Sequence, residues 1–135
     1  MTATIVYLGQ LRTAATHVQS NTTIETDAPT DNQGKGERFS PTDLLATALG
    51  SCMMTIMGIK ARDLQIELNG TTLSIQKHMV ADPRRVGAVD VVFDFPSTLR
   101  LNEKEKQILE NAARTCPVAK SIHPEIQQKI VFNWP

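Results

Sequence analysis

Up to residue 26 the chain is rich in Thr, Val and Ile, with short apolar stretches broken by small polar residues. Ile5-Val6-Tyr7-Leu8, residues 11–18 and Thr22-Thr23-Ile24 predict three short strands, separated by Gly9-Gln10 and Ser20-Asn21. Residues 27–39, DAPTDNQGKGERF, carry Pro29, Gly34 and Gly36 among polar residues and show no period, which predicts a long loop. The pattern changes at Ser40. Ser40 is a capping residue, Pro41 suits the first helical position, and Asp43 completes a capping box. The helix that starts there has Leu45, Leu49, Cys52 and Ile56 at helical spacing, and small residues at Ala46, Ala48, Gly50 and Ser51 that permit close approach by another helix. Being apolar nearly all round, it is expected at the centre of the fold and to end between Gly58 and Arg62.

Thr72 to Val80 alternates, with Leu73, Ile75 and Met79 on one face and Ser74, Gln76 and His78 on the other. Residues 86–95 alternate too, through Val89, Val91, Phe93 and Phe95, and the intervening ADPRR turn predicts an antiparallel hairpin. Asn102 with Glu105 forms a second capping box, followed by an apolar stripe of Ile108, Leu109, Ala112 and Ala113. Pro117 disfavours helix at Cys116, so one helix stops there and a short one restarts with Pro117. Ile130, Phe132 and Trp134 predict a last strand. With no internal repeat or linker, residues 1–135 read as one α+β domain.

Composition narrows the function classes. Hydrophobic residues make up 41% and charged ones 21%, which is globular rather than disordered. Lys+Arg 14 balance Asp+Glu 14, so no overall positive field favours nucleic acid or an anionic membrane, and neither is expected as a partner. The nearly uncharged run at residues 44–59 is shorter than the roughly 18 to 20 residues that cross a bilayer, and reads as a buried helix. The N-terminus lacks the charged start and apolar stretch of a signal peptide, so the cytoplasm is the expected compartment, where both cysteines stay thiols unless chemistry oxidises them.

Cys52 and Cys116 are much too far apart for a CxxC pair, and His17, His78 and His123 are scattered, so no metal site is expected. Cys116 precedes Pro117 at a helix start, where backbone N–H groups and the helix dipole lower a thiol pKa; Arg114 adds positive charge nearby. Cys52 lies deep in its helix among Met53, Met54 and Met57, where a buried thiol is by default inert. Local chemistry alone therefore assigns reactivity to Cys116.

Two strings reverse that assignment. FSPTDLLATALGSCM (39–53) and AARTCPVAKSIHP (112–124) resemble the two cysteine motifs of the OsmC/Ohr family, the osmotically inducible and organic hydroperoxide resistance proteins. The resemblance covers most of the chain. It implies an OsmC-like fold, with antiparallel sheets around central cysteine-bearing helices, in an intertwined homodimer. It further implies a thiol-dependent peroxidase that reduces organic hydroperoxides. Cys52 then corresponds to the peroxidatic cysteine, oxidised to a sulfenic acid, and Cys116 to the cysteine that resolves it as a disulfide. No cofactor is implied, and an external dithiol reductant must reopen the disulfide.

In the family an Arg held by a Glu stabilises the reactive thiolate. The position corresponding to that Glu is Thr42 here, and Asp43 is turned about 100° around the helix. The expected catalytic set is therefore Cys52, Cys116, Arg38 and Asp43, with Arg12 as the other arginine that meets the need. Phe39, Met53, Met54 and Met57 are expected to form an adaptable apolar wall for the substrate, with Lys35 in the loop closing over it. The altered Glu position leaves open a second reading, an OsmC-like ligand-binding or redox-sensing dimer with little turnover. A third, thioester chemistry at Cys116, has only His123 nearby as a partner.

Overall fold

Ser40 and Asn102, the two residues expected to cap helices, both do so. In the computed structural model, which describes all 135 residues, the Ser40 hydroxyl accepts the Asp43 N–H at 3.0 Å and the Asp43 carboxylate accepts the Ser40 N–H at 2.8 Å. This reciprocal box opens helix α1 (Pro41–Asp63). Asn102 and Glu105 repeat the arrangement, each at 2.9 Å, at the start of α2 (Glu103–Arg114). The chain divides into two compact units, Met1–Leu45 and Ala46–Pro135.

The first unit is an antiparallel meander of β1 (Ala3–Gly9), β2 (Arg12–His17) and β3 (Thr23–Asp27). The β1–β2 turn uses Gly9 at φ 85°, followed by Gln10 and Leu11, also at positive φ. Thr13 pairs with Thr26 and Thr16 with Thr23 through their hydroxyls, at 2.6 and 2.8 Å. The third strand runs further than its apolar residues indicated, so Asp27, expected in the loop, is its last residue and is 2% exposed. The loop that follows contains a 3₁₀ turn at Thr30–Asn32 and folds back on its own start, with Gly34 N–H donating to Pro29 O and Gly36 N–H to Ala28 O. A Cβ on Gly34 would lie 1.7 Å from the Ala28 carbonyl oxygen, so only glycine fits there.

The second unit holds the remainder of α1, then β4 (Thr72–Val80), β5 (Arg85–Asp94), α2, α3 (Pro117–Ser121) and β6 (Gln127–Asn133). β4 and β5 form the expected antiparallel hairpin. β6 departs from the expected antiparallel sheets: it runs parallel to β5, because α2 and α3 form the crossover that returns the chain in the same direction. Trp134 lies just past β6, stacked on Phe95 at 3.7 Å, with its indole N–H donated to Glu110 at 2.8 Å.

The core joins Val89, Val91 and Phe93 of β5, Leu109 and Ala113 of α2, and a stripe on α1. Each large side chain buried there contributes about 1.5–3 kcal/mol. The buried stripe is Ala46, Leu49, Gly50, Met53, Met57 and Ala61. It is rotated by about one residue from the expected one, leaving Leu45 38% exposed and Cys52 at the margin. Gly50 meets a strand rather than a helix: a Cβ there would lie 2.4 Å from Ile75 Cδ1 on β4. α1 has an 18-residue stretch of mean hydropathy 1.5, apolar enough to cross a membrane and longer than the uncharged run suggested. Its buried stripe packs against the core as a core helix does.

Candidate functional site

Helix α1 places Cys52 beside the core, half-buried, and the break before Pro117 places Cys116 at the N-cap of α3 with no exposed surface. Both are free thiols, and they lie within hydrogen-bonding reach of each other. The sequence positions alone do not require this meeting. Pro117 ends the preceding helix and turns Cys116 toward the core that α1 also lines.

The Cys116 sulfur accepts the backbone N–H of Ala119 at 3.3 Å, as an N-cap side chain does. A lowered pKa was expected at this helix start, and the opposite holds. Burial pushes the Cys116 thiol up, the Ala119 N–H opposes that shift, and the neighbouring Cys52 sulfur adds to it. α3 is only five residues long, so its dipole is weak, and desolvation outweighs it. Cys116 is accordingly held as a protonated thiol against Cys52.

The two candidate arginines have different partners. Arg12 is gripped by Asp27 at two points, Nε to Oδ1 at 2.6 Å and Nη2 to Oδ2 at 2.8 Å, and its Nη2 also reaches Glu37 at 2.7 Å. The Asp27 carboxylate additionally accepts the Glu37 N–H at 3.1 Å. This clamp joins the start of β2, the end of β3 and the end of the loop. It raises the Arg12 pKa, chiefly through the hydrogen bonds to Asp27 and Glu37, and lowers that of Asp27 to about 2, chiefly through its hydrogen bonds from Arg12. Arg38 is half exposed and rests on one carboxylate, Nε to Glu25 Oε2 at 2.8 Å, with Nη1 on the Glu37 carbonyl at 3.1 Å. Asp27, Glu37 and Glu25 were absent from the sequence-derived site. Counting the hairpin register, which sets Arg12 opposite Asp27, is the signal that finds the first of them.

Asp43 serves the capping box described above. Of the expected apolar wall, Met53 and Met57 are corrected: both are 0% exposed in the core stripe and offer no surface to a substrate. Met54 is half-buried and stands between two shallow grooves. One, of about 460 Å³, is lined by Gly58, Ala61, Ile66 and Leu68 among others; the other, of about 330 Å³, by Gly50, Ser51, Leu73 and Ile75. Phe39 is 57% exposed, and Lys35 is exposed on the loop. The His123 ring accepts the Glu125 N–H at 3.2 Å through Nδ1, a local turn contact that gives no support to a Cys116–His123 pair. No group of three or more His, Cys, Asp or Glu side chains is arranged to hold a metal ion.

The family model described as OsmC-like protein matches residues 34–131. Among solved structures, a Psychrobacter arcticus protein, proposed as an osmotic stress induced and detoxification response protein, is 57% identical, with a TM-score of 0.94 over 98% of this chain and 96% of that one. An organic hydroperoxide resistance protein OsmC from Legionella pneumophila aligns with a TM-score of 0.76 at 17% identity, over 99% of this chain and 98% of that one. The organic hydroperoxide resistance protein OhrB of Bacillus subtilis aligns at 0.68 and 20% identity, over 98% of each chain. At the last two identities the likeness is one of fold. No curated protein matches the chain.

Proposed function

The chain belongs to the OsmC-like protein family, and from that premise we propose that it is a cytoplasmic thiol-dependent peroxidase acting on organic hydroperoxides. The observation that carries this reading is the Cys52–Cys116 pair: two free thiols in one unit, the second buried and holding its proton against the first. Hydroperoxide as the substrate is supported by the names of the Legionella and Bacillus proteins.

The Cys52 thiolate attacks a peroxide oxygen; an S–O bond forms, the O–O bond breaks, and the leaving alkoxide takes a proton to become the alcohol. The Cys116 sulfur then attacks the Cys52 sulfenic sulfur. An S–S bond forms, the S–O bond breaks, and the Cys116 proton leaves with the hydroxide as water. An external dithiol returns two electrons and two protons. Because Cys116 keeps its proton, only Cys52 is set up to be oxidised first.

We assign support of the Cys52 thiolate to Arg38, positioned by Glu25. Arg12 is neutralised by two carboxylates, and its clamp is a structural element of the first unit. Asp43 contributes by fixing the start of the helix that bears Cys52. Met54 supplies the adaptable apolar contact, with Phe39 and Lys35 as the exposed loop contribution. A homodimer is supported by the exposed apolar side chains of β1, with Ile5 at 69% and Tyr7 at 63%, on a sheet of only three strands. A formal net charge of zero is in keeping with the absence of nucleic-acid or membrane partners.

Thr42 in place of the family's Glu favours the second reading, a redox-sensing dimer with little turnover. Turnover of cumene hydroperoxide with a dithiol separates the two. The peroxidase consumes many equivalents, and the sensor consumes one and stops.

A further inference from the structure

Cys116 has two jobs that compete for one sulfur. In the reduced protein that sulfur is the N-cap of α3, accepting the Ala119 N–H at 3.3 Å, and no other side chain caps this short helix. In the oxidised protein the same atom is bonded to Cys52. A sulfur is a weak acceptor at best, and moving it from hydrogen-bond contact to covalent distance re-aims it toward α1 and away from the Ala119 amide.

α3 has little else to hold it. Its main-chain bonds are Lys120 N–H to Cys116 O at 3.3 Å and Ile122 N–H to Val118 O at 3.1 Å, and the Gln128 side chain ties Ala119 O to β6 at 3.1 Å. A helix this short is marginal without its cap. Cys116 itself has 0% exposure, so a reducing thiolate cannot reach its sulfur while α3 is closed.

We propose that α3 is a redox-gated cover: disulfide formation between Cys52 and Cys116 removes the sulfur cap, loosens Pro117–Ser121, and opens the Cys116 sulfur to the dithiol reductant. The reduced site stays sealed, and the oxidised site admits the molecule that must repair it. The proposal rests on the Cys52–Cys116 pairing of the preceding reading, and the gate itself is independent of which oxidant forms the bond.

The test is amide hydrogen exchange over residues 117–122, with β5 as internal reference. Four states are compared: the reduced protein, the protein oxidised with diamide, reduced Cys116→Ser and reduced Cys116→Ala. Diamide takes two electrons and two protons from the thiol pair without any peroxide, and peptide mass verifies the linkage. Loss of one cap should speed exchange in this segment about fivefold in the disulfide form and in Cys116→Ala, with β5 unchanged. Cys116→Ser, whose hydroxyl can cap, should exchange as slowly as the reduced protein. Equal or slower exchange in the disulfide form overturns the gate, and so does a protected Cys116→Ala. Failure of diamide to join the two cysteines overturns both the gate and the pairing. If diamide joins them and hydroperoxide does not, the peroxidase reading fails, and the gate is still decided by the exchange of the disulfide form. The reduced-against-oxidised comparison needs no variant to fold.

Discussion

Arg12 and Asp27 form a two-point ion pair across the β2–β3 hairpin, at 2.6 and 2.8 Å, with the carboxylate 2% exposed. Together with Glu37 it pins both ends of the loop that leads to the Cys52 helix. Asp27 has a folded pKa of about 2 against an ordinary 3.8. A depressed carboxylate stabilises the fold fully above its ordinary pKa and loses that contribution as pH falls through the folded value.

Asp27→Asn is therefore expected to lower Tm at pH 7 and to flatten the loss of stability between pH 4 and pH 2. Thermal melts across that range check it. An acid profile identical in slope to that of the unaltered protein would show that the clamp contributes nothing to stability.

Arg38→Ala is expected to raise the kinetic pKa of the reacting thiol by about one unit while leaving Tm nearly unchanged, since its ion pair with Glu25 is half exposed. The pH profile of peroxide consumption measures the first effect. A shift on Arg12→Ala in place of Arg38→Ala would move the supporting cation to Arg12.

Thiol labelling should be ordered. Cys116 has no exposed surface and its pKa is raised, so iodoacetamide at pH 8 is expected to modify Cys52 at least tenfold faster, as followed by peptide mass. Equal rates would contradict the assignment of Cys116 as the protonated partner.

Gly50 offers a test of the helix-to-strand contact. Gly50→Ala crowds Ile75 Cδ1 at 2.4 Å and is expected to cost about 1 kcal/mol, overpacking outweighing the gain in helix propensity. Ile75→Val removes that atom. In its background, Gly50→Ala should instead stabilise by roughly 0.5–1 kcal/mol. Denaturant melts of the four proteins read the change of sign.

Much of this architecture is legible in the chain because it is written locally. Ser40 with Asp43, Asn102 with Glu105, and Pro117 each act within one helical turn, and each produces the boundary it predicts. The phase of α1 is different. A helix apolar on nearly all sides does not declare which stripe is buried, so Met53 and Met57 read as a substrate wall until the structure turns them into the core. The direction of β6 is likewise absent from its alternation, which would be the same whether it ran parallel or antiparallel to β5. At Cys116 the local argument gives the wrong sign, because the dipole of α3 can be read from the position of Pro117, whereas the desolvation that outweighs it depends on residues from α1 and α2 packed around the sulfur. The partners of Arg12 depend on strand register, a property of the folded hairpin.

The central claim is that Cys52 and Cys116 act as one redox pair. One equivalent of cumene hydroperoxide is added to the reduced protein, free thiols are counted, and the linkage is mapped by peptide mass. The account predicts rapid loss of both thiols and a Cys52–Cys116 disulfide within one chain, with Cys52→Ser inert and Cys116→Ser stopping at a Cys52 sulfenic acid. Two thiols that persist as long as those of free cysteine would contradict it.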